Sequence, residues 1–153
     1  MTKFVYRMQN ILDLKLKLEE QAKIAFSMAN GILRQEEEKL HSIYIEQETY
    51  QRRLQDFRDK KLDLLEMNRL TNAIEIKKIE IEEQKKRIQL AKNNVEVTRR
   101  KLNDVMVERK TQEILKEKAF ERYRQELKEE EDKANDELTS YQYNENGKEI
   151  EHA

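Results

Sequence analysis

The chain has 153 residues, 41% of them charged and 37% hydrophobic, with a net charge of −1, two glycines, and neither cysteine nor proline. Without cysteine there is no disulfide framework, no thiolate nucleophile and no cysteine zinc site, and without a basic excess the chain lacks the phosphate-neutralising charge that general nucleic-acid binding needs. Charges at Lys3, Arg7, Asp13, Lys15 and Lys17 interrupt every apolar run near the N-terminus. Neither a signal-peptide core nor a membrane span is read there, and a cytoplasmic protein with no direct membrane insertion is expected.

Glu, Lys, Leu, Ile, Gln and Arg dominate and almost nothing punctuates a helix, so the composition predicts long exposed helices or coiled coil. In the first half an apolar row recurs every seven residues, at Phe4, Ile11, Leu18, Ala25 and Ile32, the spacing that keeps one stripe facing a partner helix. It resumes at Ile43, Tyr50, Phe57 and Leu64 after a step of eleven, which reads as a four-residue stutter and a local unwinding of the supercoil. Gly31 stands at that boundary and reads as a glycine tolerated at a close helix crossing, with a kink as the alternative.

Between residues 64 and 75, Asn68, Thr71 and Asn72 are the best local helix-stop and cap candidates, so the hairpin tip is expected there. The second half carries Ile74, Ile81, Ile88, Val95 and Leu102, then, after another offset, Phe120, Leu127, Ala134 and Tyr141. Net charge by block is +3 (1–34), −3 (35–68), +4 (69–105) and −3 (106–140). Folding the chain back on itself sets opposite signs together, which favours a monomeric antiparallel hairpin over a parallel dimer. The expected fold class is all-α, a two-helix antiparallel coiled-coil hairpin over 1–143 with arms of about 100 Å, followed by a disordered tail over 144–153.

Catalytic chemistry finds no foothold. Neither glycine has the companions of a phosphate-binding loop. His41 and His152 are far apart in sequence, and the acidic runs Glu36–Glu38 and Glu129–Asp132 read as solvated faces. A non-enzymatic protein with no cofactor and no metal site is expected. The cationic clusters Lys77-Lys78, Lys85–Arg87 and Arg99–Lys101 are diluted by acidic neighbours and read first as a solvated face, then as protein docking.

The run KFVYRMQNILDLKLKLEEQAK (Lys3 to Lys23), with IEEQ (Ile81 to Gln84), ERK (Glu108 to Lys110), ILKEKAFERY (Ile114 to Tyr123) and Asp136-Glu137 in that order, resembles the FliJ family of flagellar export proteins. The tip departs from the family pattern, being short and lacking a glycine-containing loop. The resemblance implies a soluble component of the bacterial flagellar type III export apparatus, similar in shape to the stalk of a rotary-ATPase gamma subunit. The implied partners are the hexameric export ATPase, the cytoplasmic domain of the export gate, and export chaperones, at the inner face of the cell membrane at the flagellar base. It further implies an ATPase-ring contact at Phe4, Arg7, Met8, Ile11 and Leu12 meeting Asp136 and Glu137, and an export-gate contact at Ile76, Lys78, Ile79, Gln84 and Lys85 on the early second helix. A generic coiled-coil scaffold or dimeric tether is the competing reading, and a nucleic-acid-associated helical protein a more distant one.

Overall fold

A computed structural model describes residues 3–58 and 63–151, with side chains placed through Gly147. His152 therefore lies outside the described residues. Two helices make up the architecture, α1 (Gln9–Arg58, 50 residues) and α2 (Leu64–Glu151, 88 residues), and no strand occurs among the described residues. The fold is all-α, as the composition predicts.

The first and last turns explain where the helices begin. Gln9 N–H donates to the Tyr6 carbonyl and Leu12 N–H to the Met8 carbonyl, which winds the chain into α1. Asp63 caps α2: its carboxylate accepts from Leu65 N–H at 3.1 Å and its carbonyl accepts from Met67 N–H, satisfying donors that a helix start leaves orphaned. The 64–75 stretch is thus the beginning of α2, and α1 ends earlier, at Arg58. Asn68, Thr71 and Asn72 cap nothing; Thr71 donates back to the Met67 carbonyl inside the helix. The helix also runs on through Gly147 to Glu151, into the stretch that the sequence led us to expect as a disordered tail from 144.

The chain divides into two compact units, Met1–Leu16 with Val107–Ala153, and Lys17–Met106. In each unit the two chain segments run antiparallel. Tyr6 meets Gln112 and Lys15 meets Glu108 in the first unit; Glu36 meets Gln84 and Glu46 meets Lys77 in the second.

Which residues turn inward decides the register. Along α1 the buried and half-buried positions form two unbroken heptad rows, Leu12, Glu19, Phe26, Leu33, Leu40, Gln47, Leu54 and Lys15, Ala22, Ala29, Glu36, Ile43, Tyr50, Phe57. No stutter interrupts them. The apparent step of eleven in the sequence joins two different rows: Ile11, Ala25 and Ile32 are exposed beside the seam, while Ile43, Tyr50 and Phe57 are in it. Along α2 the inward rows are Ile74, Ile81, Ile88, Val95, Leu102, Arg109 and Leu70, Lys77, Gln84, Ala91, Thr98, Val105, so the second offset disappears as well.

The seam is thin and partly polar. Its buried apolar residues are Leu12, Ala29, Leu70, Ile74, Ile81, Ile88 and Ala91, and Glu19 and Gln84 are buried among them. Sign pairing does not set this alignment. Residues 17–34 carry a slight positive charge and face part of the strongly basic stretch 85–106, while seven of the eleven acidic residues in 106–140 lie at Glu126 or later, past the aromatic contacts that Phe4 makes with α2. Apolar burial therefore outweighs exposed ion pairs, each worth about 0–1 kcal/mol.

Gly31 sits inside α1 without a positive φ, and a Cβ built on it meets nothing within 4 Å. There is neither a break nor a close crossing. Gly31→Ala should accordingly raise stability by about 0.5–1 kcal/mol, measured by urea denaturation. A loss of stability would mean a neighbour occupies that space.

Candidate docking surfaces

In the first unit an aromatic cluster closes the helix pair. The Phe4 ring stands edge-on to Phe120 at 5.2 Å and 72°, and tilts against Tyr123 at 5.5 Å, geometries that add about 0.5–1.5 kcal/mol per pair beyond burial. The Tyr6 hydroxyl donates to Gln112 Oε1 at 3.0 Å, and Lys15 Nζ donates to Glu108 at 2.8 Å. Sequence reasoning had no signal for Tyr123, Tyr6 or Gln112, because aromatic and amide partners in different helices do not follow any one helix's period.

This cluster sorts the residues expected at an ATPase contact. Leu12 is 4% exposed and belongs to the seam, and Phe4 is occupied by Phe120 and Tyr123. Arg7, Met8 and Ile11 are exposed. Asp136 and Glu137 do not meet them: Phe4 is level with Phe120 and Tyr123, and Asp136 lies about 20 Å farther along α2 at 1.5 Å per residue. From Lys128 to Gly147 every side chain of α2 is exposed.

In the second unit, Gln84 is corrected most sharply. It is 6% exposed, and its Nε2 donates to both the Glu36 carbonyl, at 2.9 Å, and the Glu36 carboxylate. It therefore cannot serve as a surface contact. Burying an amide costs least when its hydrogen bonds are satisfied, and among the described residues no buried side-chain nitrogen or oxygen lacks a partner. Ile76 and Ile79 are 54% and 61% exposed, off the seam as expected. Beside them Lys78 and Lys85 are exposed and paired one turn back, with Glu75 at 3.0 Å and Glu82 at 3.5 Å.

The electrostatics of this unit are local. The hydrogen bond from Gln84, aided by the nearby Lys39 and Arg87, holds the Glu36 carboxyl below its ordinary 4.5. Lys77 reaches across to Glu46 and also pairs with Glu80, and both hold its ammonium above the usual range. Arg99 and Arg100 lower Glu96 in the same way. The folded state thus binds protons at Glu36 and Glu96 less readily than the unfolded chain. That stabilisation is present above pH 4.5 and is lost as pH falls through the lowered folded values. Glu36→Gln should flatten this acid limb in a series of denaturation curves, and an unchanged limb would remove Glu36 from the account.

Among the described residues no group of three or more His, Asp or Glu is arranged to hold a metal ion, and no helix is long and apolar enough to cross a membrane. The surfaces on offer are apolar patches flanked by cations, suited to recognising protein. No curated protein and no solved structure matches the chain significantly. The family model described as flagellar FliJ protein does match, over residues 3–148, and the chain accordingly belongs to the FliJ family of flagellar export components.

Proposed function

We propose that this chain is a non-enzymatic link in flagellar protein export, joining the hexameric export ATPase to the cytoplasmic domain of the export gate and receiving export chaperones. The observation that carries the reading, beside family membership, is that each unit presents its own exposed apolar patch with cations at its edge. In the first unit this is Met8 and Ile11 with Arg7; in the second it is Ile76 and Ile79 with Lys78 and Lys85. We assign the first to the ATPase ring and the second to the gate. Leu12 and Gln84 leave these sets because both are buried, and Phe4 leaves the first because its ring packs on Phe120 and Tyr123. Asp136 and Glu137 form a separate acidic surface for the same ring. The protein would then sit at the inner face of the cell membrane through its partners.

Apolar contact supplies affinity in such surfaces, and the rim charge supplies orientation and encounter rate. Arg7→Glu combined with Met8→Ala should weaken binding to purified export ATPase at least tenfold while circular dichroism remains helical. Both side chains are exposed, so the fold has no stake in them. Unchanged ATPase affinity would reject the assignment of this patch.

A further inference from the structure

Between residues 11 and 33 α1 carries a third apolar heptad row beside the two that the intramolecular pairing uses. Within the second unit this third row is Leu18, Ala25 and Ile32, widened by Met28 and Ile24. Leu18 is half-buried and the rest are exposed, Met28 at 63% and Ile32 at 46%. Followed onward at the same spacing, this row becomes Lys39, Glu46 and Arg53. Within the second unit the apolar stripe therefore occupies three heptad positions and ends at Ile32, unlike a helix that is greasy throughout; the same row reaches back to Ile11 in the first unit. Apolar residues at single exposed positions are ordinary, but a row in register with the coiled-coil repeat has the form of a seam for another helix.

The charges near the stripe specify the sign of the partner. Arg87, close enough to Glu36 to favour its carboxylate, and Lys101, two heptads further along α2, are both exposed. In an antiparallel pair their heptad position flanks the same side of the seam as Leu18, Ala25 and Ile32. Lys17 adds a third cation at the stripe's N-terminal end. The complementary occupant is an acidic amphipathic helix whose apolar stripe is about as long.

Such a helix is present in the chain itself. Residues 126–145 hold eight acidic and two basic side chains, and Leu127, Ala134, Leu138 and Tyr141 lie along one face. Leu127 is half-buried; the other three are exposed. The two stripes, 18–32 and 127–141, are the same length. The block-charge argument for a monomer does not stand against this pairing, because the observed register leaves the acidic segment outside the helix pair. We infer that the acidic end of α2 from one molecule seats on the Leu18–Ile32 stripe of a second copy, making a local three-helix coiled coil.

Because the two surfaces differ, the contact is heterologous and self-association should grow with protein concentration. The absence of cysteine permits a clean test. Ala25 and Ala134 are the midpoints of the two stripes and meet whichever way the helices run. Chains carrying Ala25→Cys and Ala134→Cys, mixed under mild oxidation, should form the mixed disulfide faster than either forms its own homodimer. Adding Met28→Glu and Ile32→Glu to the first chain should abolish that preference while leaving circular dichroism unchanged. Sedimentation of the unmodified chain should show a mass that rises with concentration and reverts to monomer at high salt. A monomeric mass throughout would overturn the inference. So would an Ala25→Cys homodimer forming faster than the mixed product, or a mixed rate no higher than that of an Ala25→Cys and Glu48→Cys pair.

Discussion

Ile81→Ala should cost about 2–4 kcal/mol of unfolding free energy, whereas Ile32→Ala should change it by less than about 0.5 kcal/mol. Both isoleucines sit in heptad rows that look alike in sequence. They differ in what their methyl groups touch: Ile81 is 6% exposed in the α2 inward row, and Ile32 is 46% exposed beside the α1 seam. Truncating Ile81 removes buried apolar surface and leaves a void in a two-helix interface that has few other large side chains to relax into it. Truncating Ile32 removes surface that water already reaches. Urea denaturation of the two variants at low concentration, where self-association is absent, checks the pair. Equal losses would mean that both rows are seam and that the register described for α1 is wrong.

The second large effect concerns binding. Ile76→Ala with Ile79→Ala should lower affinity for the cytoplasmic domain of the export gate about thirtyfold or more, since truncating a central apolar anchor costs about 2 kcal/mol or more. Thermal stability should hardly move, because both residues are more than half exposed and neither belongs to an inward row. Lys78 and Lys85 lie beside them, each tied to a glutamate one turn back. Reversing those lysines should slow association more than it speeds dissociation. Isothermal titration with the purified gate domain, alongside melting curves, measures both quantities. A sharp fall in melting temperature would place Ile76 and Ile79 in the hydrophobic seam, and an unchanged affinity would move the gate contact elsewhere.

Helix content and family were legible in the sequence because each follows from a signal spread over the whole chain, absence of breakers and motif order; antiparallel pairing was read from the block charges, and it is found although those charges do not set the alignment. Register was not legible. The α1 stretch offers Leu18, Ala25 and Ile32 as readily as Glu19, Phe26 and Leu33, and hydrophobicity favours the wrong row because the two true ones include Glu19 and Lys15. Polar residues enter this seam where a partner across it satisfies them, as Gln84 does with Glu36, and a single-helix pattern cannot show a partner in another helix. The resemblance put Gln84 on the gate surface and Leu12 on the ATPase surface, and motif order carries no information about their burial. The start of α2 was misplaced because the local signal is repeated: Asp63 has a glutamate three residues on at Glu66 just as Asn72 has one at Glu75, and only Asp63 caps a helix.

The linking role is tested most directly by mixing the chain with purified export ATPase and the purified cytoplasmic gate domain and asking, by size-exclusion chromatography with light scattering, whether all three elute together. The unmodified chain should give the ternary complex. Arg7→Glu with Met8→Ala should leave a complex with the gate domain alone, and Ile76→Ala with Ile79→Ala a complex with the ATPase alone. A chain that binds neither protein, or loses both partners through either pair of changes, would contradict a link with one docking patch in each unit.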